Sequence, residues 1–349
     1  AGWWRRHAGL LEWNDRQGEL VFQPGVPLDR VPEQEEREAP GPASRAGNVA
    51  RATRPPALGD VVGQERAVRN LDVAVRAARR LGEPLGHVLL AGAAGLGKTS
   101  LARAVAADAG GGFHGCNAPL LKEPGALLRQ LLALGDGDIL FLDEVHRLPD
   151  RVAEVLYEAM EDGQLSLPIR SGVHQRMLHV RLDPFTLIGA TTEEELLPAP
   201  MRARFRIREQ LEFYEASELA ELIRRAAGRA GLGITDDAAL ALAKVSRDTP
   251  REALALFEQV RNDSVLASEL RIDSAGVART LQRLGIDEQG LRPSERAYLE
   301  VLRRAGRPLG LRTLAARLGV SRSALQRVHE PFLLRKGLVR MTQHGRVAA

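Results

Sequence analysis

The residues best able to do chemistry here are a lysine, a threonine and two acids, set at the ends of two apolar runs. Gly92-Ala-Ala-Gly95-Leu96-Gly97-Lys98-Thr99 follows Val88-Leu89-Leu90, and Asp138-Ile-Leu-Phe-Leu-Asp143-Glu144 closes with adjacent carboxylates. The first string fits G-x-x-x-x-G-K-[ST] after a strand, the pattern whose backbone N–H groups wrap around a polyphosphate. A helix beginning there adds positive potential at its N-terminus. Lys98 is expected to reach the β- and γ-phosphates, and Thr99 to place its hydroxyl on Mg²⁺. Asp143 is expected beside that metal, with Glu144 free to polarise an attacking water. Alone, an Asp-Glu pair after a strand is more often a solvated strand end. Behind a phosphate loop, it points to bound ATP and Mg²⁺.

The elements that must position these groups alternate along the chain. Helical patterns at Gln64–Leu81, 98–109 and 150–162 intervene between apolar strands at 87–91, 138–142 and 185–190. This is the rhythm of an α/β domain with a parallel sheet covered on both faces. Leu165–Leu182 alternates around Ser171-Gly172 as a hairpin would. Residues 216–284 lose strand character and read as four helices, 216–230, 236–246, 250–262 and 274–284, with helix starts at Asp236-Asp237 and Thr249-Pro250. The tail reads as helices 293–304, 310–318 and 322–334, then strands 338–341 and 346–348, the order of a winged helix-turn-helix. Ser321 caps the candidate recognition helix, which exposes Arg322 and Arg327.

The 349 residues suffice for two or three domains. No stretch approaches the roughly 18 apolar residues of a membrane span, so no membrane role is expected. The start Ala-Gly-Trp-Trp-Arg-Arg lacks the apolar centre of a secretion signal, and the single Cys116 suits a reducing compartment, so a cytoplasmic location is expected. From Arg292 onward, thirteen Lys and Arg face three acids in a chain whose overall charge is only +4. A basic tail on a mildly acidic body suggests a polyanionic partner, although charge alone would equally suit a solvated basic face. Residues 1–30 hold Trp3, Trp4 and Trp13 and read as a small packed extension; residues 31–53 form a Pro- and Glu-rich linker. There is no internal repeat.

From Arg54 onward the chain resembles the RuvB family, AAA+ motors of Holliday-junction branch migration. The resemblance rests on Gly63-Gln-Glu, Gly95-Leu-Gly-Lys-Thr, Asp138-Ile-Leu-Phe-Leu-Asp-Glu-Val-His-Arg-Leu and Ala159-Met-Glu-Asp. It continues through Pro184-Phe-Thr-Leu-Ile-Gly-Ala-Thr-Thr, Arg204-Phe, Leu211-Glu-Phe-Tyr, Thr249-Pro-Arg, Glu330-Pro-Phe-Leu and Gly345-Arg. It implies an AAA+ large domain over 54–215, an all-α lid over 216–285 and a winged helix over 286–349. It also implies that Thr192 is a polar sensor of the γ-phosphate and that Arg204 is an arginine finger acting in the neighbouring subunit. Arg251 would be a second sensor on the lid. Arg54, Val62, Gly63 and Tyr214 would surround the base end of the nucleotide, Glu161 and Asp162 would lie near it, and Ser100 would join the phosphate loop. Arg296 and Arg346 would contact DNA, with Arg322 and Arg340 as further cations on that face. A hexameric ring is the family habit, and hairpin 165–182 is where members dock the junction-binding partner RuvA.

The chain departs from the family in places. Ala93-Ala94 replaces two prolines. Pro168 and Arg170-Ser171 alter the hairpin, Glu193-Glu-Glu replaces a basic start, and Met341-Thr-Gln-His344-Gly-Arg346 replaces Arg-Thr-Pro-Arg-Gly-Arg. Phosphate contacts dominate salt-sensitive affinity, so retuned DNA binding is expected. The expected function is an ATP-driven motor on four-way junctions or duplex arms. The alternatives are a DNA clamp or loader, and an ATP-regulated DNA-binding switch. Glu144 and Arg204 weigh against the switch, which has no need of a water activator and a finger.

Overall fold

Three short apolar runs, buried on both faces, and two half-polar edge segments assemble into one parallel sheet. The computed structural model describes residues 11–14, 19–22, 57–171 and 174–349. Trp3, Trp4, the 31–53 linker and Arg54 therefore lie outside the described residues. The chain divides into two units, Ala1–Phe213 and Tyr214–Ala349.

The strands of the first unit are β1 (Leu11–Asn14), β2 (Glu19–Phe22), β3 (Val88–Ala91), β4 (Phe113–Asn117) and β5 (Ile139–Asp143). They continue with β6 (Gln164–Ser171), β7 (His174–Arg181), β8 (Thr186–Thr191) and β9 (Ile207–Gln210). The parallel sheet runs β4-β5-β8-β3-β9. Every residue of β3 and β8 is buried, as expected for strands covered by helices on both faces. Strands β4 and β9 were not anticipated. They lie at the two edges of the sheet and are half polar, Phe-His-Gly-Cys-Asn and Ile-Arg-Glu-Gln, so neither shows an apolar run. Helices Pro124–Ala133 and Ala199–Arg204 were also not anticipated. The Asp138 carboxylate accepts N–H bonds from Gly112 and Gly135, both at 2.7 Å, and pairs with His114 at 3.0 Å, tying the start of β4 to the entry of β5.

Gly189, in the middle of β8, permits a close approach. A Cβ there would lie 2.8 Å from the Phe205 ring, so glycine alone lets that ring seal the sheet. The Phe205, Val145, Leu142 and Leu187 side chains belong to one continuous core with Leu127, Leu131, Val152 and Leu156 from the covering helices.

Strands β6 and β7 pair antiparallel from Gln164↔Arg181 to Ser171↔His174, the expected hairpin, with Pro168 opposite Met177. Beside it, β1 and β2 form an antiparallel pair, and β2 runs parallel to β6 at Leu20↔Ile169. The N-terminal extension thus contributes strands to the hairpin sheet, ordered β1-β2-β6-β7.

The second unit carries helices Ala216–Arg229, Asp236–Val245, Pro250–Leu266 and Ser274–Leu284. Thr235, Thr249 and Asp273 cap three of them with side-chain oxygens. Two short parallel strands, β10 (Gly233–Ile234) and β11 (Arg271–Ile272), clip this bundle together. Helices Pro293–Ala305 and Leu311–Leu318 follow. The expected helix 322–334 is not one α-helix: Arg322–Ala324 and Glu330–Arg335 flank a π-helical turn at Leu325–His329. Pro331 has no N–H to give the preceding turn, and the ladder widens there. Strands β12 (Val339–Thr342) and β13 (Gly345–Ala348) form the wing. Tyr298, Leu299, Leu314, Leu325, Phe332 and Val339 make its core.

Candidate functional site

The ends of β3, β5 and β8 lie level: Ala91 pairs with Thr191, and Leu142 with Gly189. Loops leaving the carboxyl edge of a parallel sheet converge, and ligands bind in the crevice they make. Here, that crevice receives the phosphate loop, the paired acids and the threonines together.

Within the loop, Gly92, Gly95 and Gly97 all have positive φ (143°, 86° and 94°). A Cβ on Gly92 would lie 2.9 Å from the Leu211 carbonyl oxygen, so no larger residue fits there. Leu96 is buried and anchors the loop, while Thr99 and Ser100 are half-buried on the first turn of helix Lys98–Ala109. That helix has Gly97 as its N-cap and no side-chain cap, so its first N–H groups remain available to a phosphate. The buried Lys98 ammonium donates to the carbonyls of Gly92 (2.7 Å) and Ala93 (3.0 Å), curled over the space the loop encloses. The backbone cradle, the uncapped helix and this lysine fit a polyphosphate. The hard oxygens of Thr99 and Asp143 fit Mg²⁺.

Val62 and Gly63 are drawn to the same end of the sheet. Gly63 and Gln64 take consecutive left-handed conformations (φ 70° and 55°). The Gln64 amide then clasps the Glu212 backbone in both directions, at 2.7 and 3.0 Å. Leu211 in turn donates its N–H to Ala91, beside the phosphate loop.

Asp143 ends β5, and its Oδ1 accepts the N–H of Glu144 at 3.1 Å. Glu144 stands at φ 53°, ψ 46°, a left-handed backbone that costs a non-glycine residue about 1–2 kcal/mol. That backbone throws the carboxylate toward β8, where Thr192 Oγ1 donates to Glu144 Oε2 at 3.0 Å. Strand β8 ends at Thr191, one residue beyond the expected 185–190, so Thr192 is the first residue of the loop. Sequence patterns assign no role to His146 or Glu193, yet they complete the network. His146 Nε2 lies 3.2 Å from Glu193 Oε2, while Nδ1 lies 2.9 Å from Thr191 Oγ1 and 3.4 Å from Glu144 Oε2. A carboxylate can only accept, so Nε2 donates to Glu193 and, in the neutral ring, Nδ1 takes the Thr191 hydroxyl proton. Only the position of His146 directly behind the paired acids could have flagged it.

Arg204 lies at the end of its short helix. It donates to the Pro200 carbonyl at 2.8 Å and pairs with Glu161, and its guanidinium stacks 4.7 Å over the Tyr157 ring. Neither polar partner belongs to the phosphate loop. The structure therefore groups Glu161 with Arg204 and leaves that pair apart from Lys98 and Glu144. Tyr214 and Arg251 belong to the second unit. Tyr214 is buried; Arg251, on the first turn of helix Pro250–Leu266, is exposed and makes no ion pair among the described residues.

In the winged helix, Arg322, Arg327 and Arg340 are exposed. Arg296 is half-exposed and donates to the Leu291 carbonyl at 2.8 Å. Arg346 departs from expectation. Its guanidinium is buried and donates to both Glu330 oxygens, at 2.9 and 3.1 Å, and the Tyr298 hydroxyl donates to the same carboxylate. The Arg346 backbone also exchanges hydrogen bonds with Leu309, which draws the wing inward. Its cation neutralises Glu330 inside the domain and is not presented to a ligand. Burial and that carboxylate together push the Tyr298 hydroxyl pKa far up.

Three family descriptions match consecutive parts of the chain. They are the Holliday junction DNA helicase RuvB P-loop domain (53–211), the RuvB AAA lid domain (214–287) and the RuvB C-terminal winged helix domain (288–349). A Holliday junction branch migration complex subunit RuvB from Chlorobaculum tepidum is 43% identical over 297 residues, 84% of this chain and 86% of its own. The protein of that name from Paramagnetospirillum magneticum is 42% identical over 308 residues, covering 88% and 89%. Among solved structures, the Thermotoga maritima RuvB Holliday junction branch migration motor superposes with a TM-score of 0.73 at 40% identity, covering 85% of this chain and 95% of that one. With all three domain descriptions matched and more than four-fifths of its length shared with such relatives, the chain belongs to the RuvB family.

Proposed function

We propose that this chain is an ATP-driven motor that moves four-way junctions or related branched DNA, working as a hexameric ring. The observation that best supports hydrolysis over simple binding is Glu144. Its strained backbone and its bond to Thr192 aim a carboxylate beside Asp143, a geometry that a binding switch would not maintain.

The backbone N–H groups of Gly95–Ser100 hold the phosphates, and Lys98 turns from its loop carbonyls to the β- and γ-oxygens. Thr99 and Asp143 would hold Mg²⁺, which when bound neutralises charge on the triphosphate. Glu144 orients and deprotonates the attacking water, and Thr192 fixes the side chain that does so. The family resemblance assigns Val62, Gly63, Arg54 and Tyr214 to the base end of the nucleotide. Arg204, turned on Tyr157 and steadied by Glu161, serves the site of the adjacent subunit, with Asp162 close by. Arg251 registers the phosphates from the lid, and Arg296, Arg322 and Arg340 meet the DNA backbone. Hairpin 165–182 is the face for a RuvA-like partner.

The test is ATP turnover with and without a synthetic four-way junction, alongside Glu144→Gln, Lys98→Ala and Arg204→Ala. Junction-stimulated turnover lost in each variant, and regained when Lys98→Ala and Arg204→Ala subunits are mixed, is the expected result. Turnover that survives Arg204→Ala would remove the trans finger, and turnover indifferent to DNA would favour the switch.

A further inference from the structure

Between helices Asp236–Val245 and Pro250–Leu266, Arg247 and Asp248 stand in succession at φ 56° and 59°. Two consecutive non-glycine residues in the left-handed region cost free energy, and such strain persists only where surroundings hold it. Here, the surroundings are the winged helix, which grips the turn from several sides.

Arg247 Nη2 lies 2.9 Å from each oxygen of Glu295, a side chain only 1% exposed, and its guanidinium stacks 4.9 Å from the Phe332 ring. The Arg247 carbonyl accepts from Arg335 Nη2 at 2.8 Å. The Asp248 carboxylate receives Arg335 Nε at 3.3 Å and Lys336 Nζ at 3.2 Å. On the far side of Arg251, Glu252 accepts from Arg292 Nη2 at 2.6 Å. The Asp248 carbonyl also accepts the N–H of Tyr214, the first residue of this unit, at 3.0 Å. Residues 247–252, with Arg251 among them, are thus tied to Arg292, Glu295, Phe332, Arg335 and Lys336.

We infer that the Arg247–Asp248 turn is a coupling joint that sets the orientation of the winged helix against the helix bearing Arg251, so that DNA contact and nucleotide state report to one another. This rests on the reading of Arg251 as a nucleotide sensor. Asp248 is a positioning residue, touching neither nucleotide nor DNA. The contacts are multiple and partly buried, so the joint acts as a rigid link and not as a single exposed pair of little energetic weight.

The experiment uses the full chain with Asp248→Asn, which keeps a residue tolerant of the left-handed backbone, and separately the double substitution Arg335→Gln with Lys336→Gln. Turnover without DNA and the KM for ATP are expected within about twofold of the parent, while the junction-stimulated increment of kcat falls about fivefold or more (about 1 kcal/mol). Combining all three substitutions should do no more than either alone. A preserved increment in both variants overturns the joint. If the parent itself ignores DNA, the motor reading fails and the joint is judged by distance. Spin labels at Glu258→Cys and Arg312→Cys, in a Cys116→Ser background, should give one narrow distribution that Asp248→Asn broadens. An unchanged distribution would then refute it.

Discussion

Arg204 and Arg346 were both singled out as arginines matching functional positions in the RuvB pattern, and the fold treats them in opposite ways. Arg204 sits at a domain face, its side chain a quarter exposed against a largely exposed glutamate. Arg346 is locked in the winged-helix core against a carboxylate 5% exposed. The first arrangement can be undone by an arriving subunit at small cost. The second can be undone only by unfolding the wing, because separating a buried pair strands both charges. A matching residue type therefore marks a position, and the burial of its partner decides whether the position can act.

The largest effect on this comparison should come from Glu144→Gln, at the end that must act. Turnover should drop about 10²–10⁴-fold, the range for a positioned general base, while ATP binding by equilibrium titration persists. Next, Arg346→Ala should destabilise the winged helix by about 3–5 kcal/mol, read by chemical denaturation. Arg340→Ala should leave stability unchanged and reduce the salt slope of DNA binding by about one. A stable Arg346→Ala protein with lost DNA affinity would overturn the structural reading of that residue. Thr192→Val, isosteric but without the hydroxyl, should lower kcat about tenfold with KM for ATP unaltered, since one hydrogen bond to a charged group is worth about 1.5–3 kcal/mol.

The smallest expected effect lies at His87. Leu187 N–H donates to Nδ1 at 3.0 Å, so Nε2 carries the proton toward the Met160 carbonyl at 3.2 Å and the ring is neutral. Burial lowers its pKa from 6.5, with the Met160 bond opposing and Arg206 assisting. A depressed pKa means the unfolded chain binds the proton first. The stabilisation is complete above pH 6.5 and lost as pH falls through the folded value. Denaturation at pH 7.5 and 5.5 should show that loss in the parent and less of it in His87→Gln.

Much of the fold was legible because each central element carried a periodicity of its own. The buried runs 88–91, 139–142 and 186–191 could only be strands of a covered parallel sheet, and the phosphate loop followed from its spacing. The edge strands β4 and β9 were not legible, since strands half-exposed at a sheet edge need no apolar run. Nor was the π-turn at 325–329, where one proline outweighs the helical pattern around it. At the site, type and spacing nominated Lys98, Thr99, Asp143 and Glu144, which the structure brings to one edge of the sheet. The link from His146 to Glu193 was hidden because it joins two loops through hydrogen bonds, which leave no periodicity behind. The inward turn of Arg346 was hidden for the same reason, since its partner lies sixteen residues back.

The order of strands in the sheet also fixes when the ATP site can come into being. Strand β3 has β8 on one side and β9 on the other, with Val88 paired to Ile188 and Ile207. At a synthesis rate of about 5–20 residues per second, the 119 residues from Val88 to Ile207 take roughly 6–24 s to emerge. Until β8 follows, 100 residues after Val88, the strand carrying the phosphate loop has no neighbour on either edge and four apolar residues to hide, and one edge stays open until β9 arrives. Newborn chains of this protein should therefore engage holdase chaperones at β3, and ribosome-stalled fragments ending before Gln210 should fail to retain ATP.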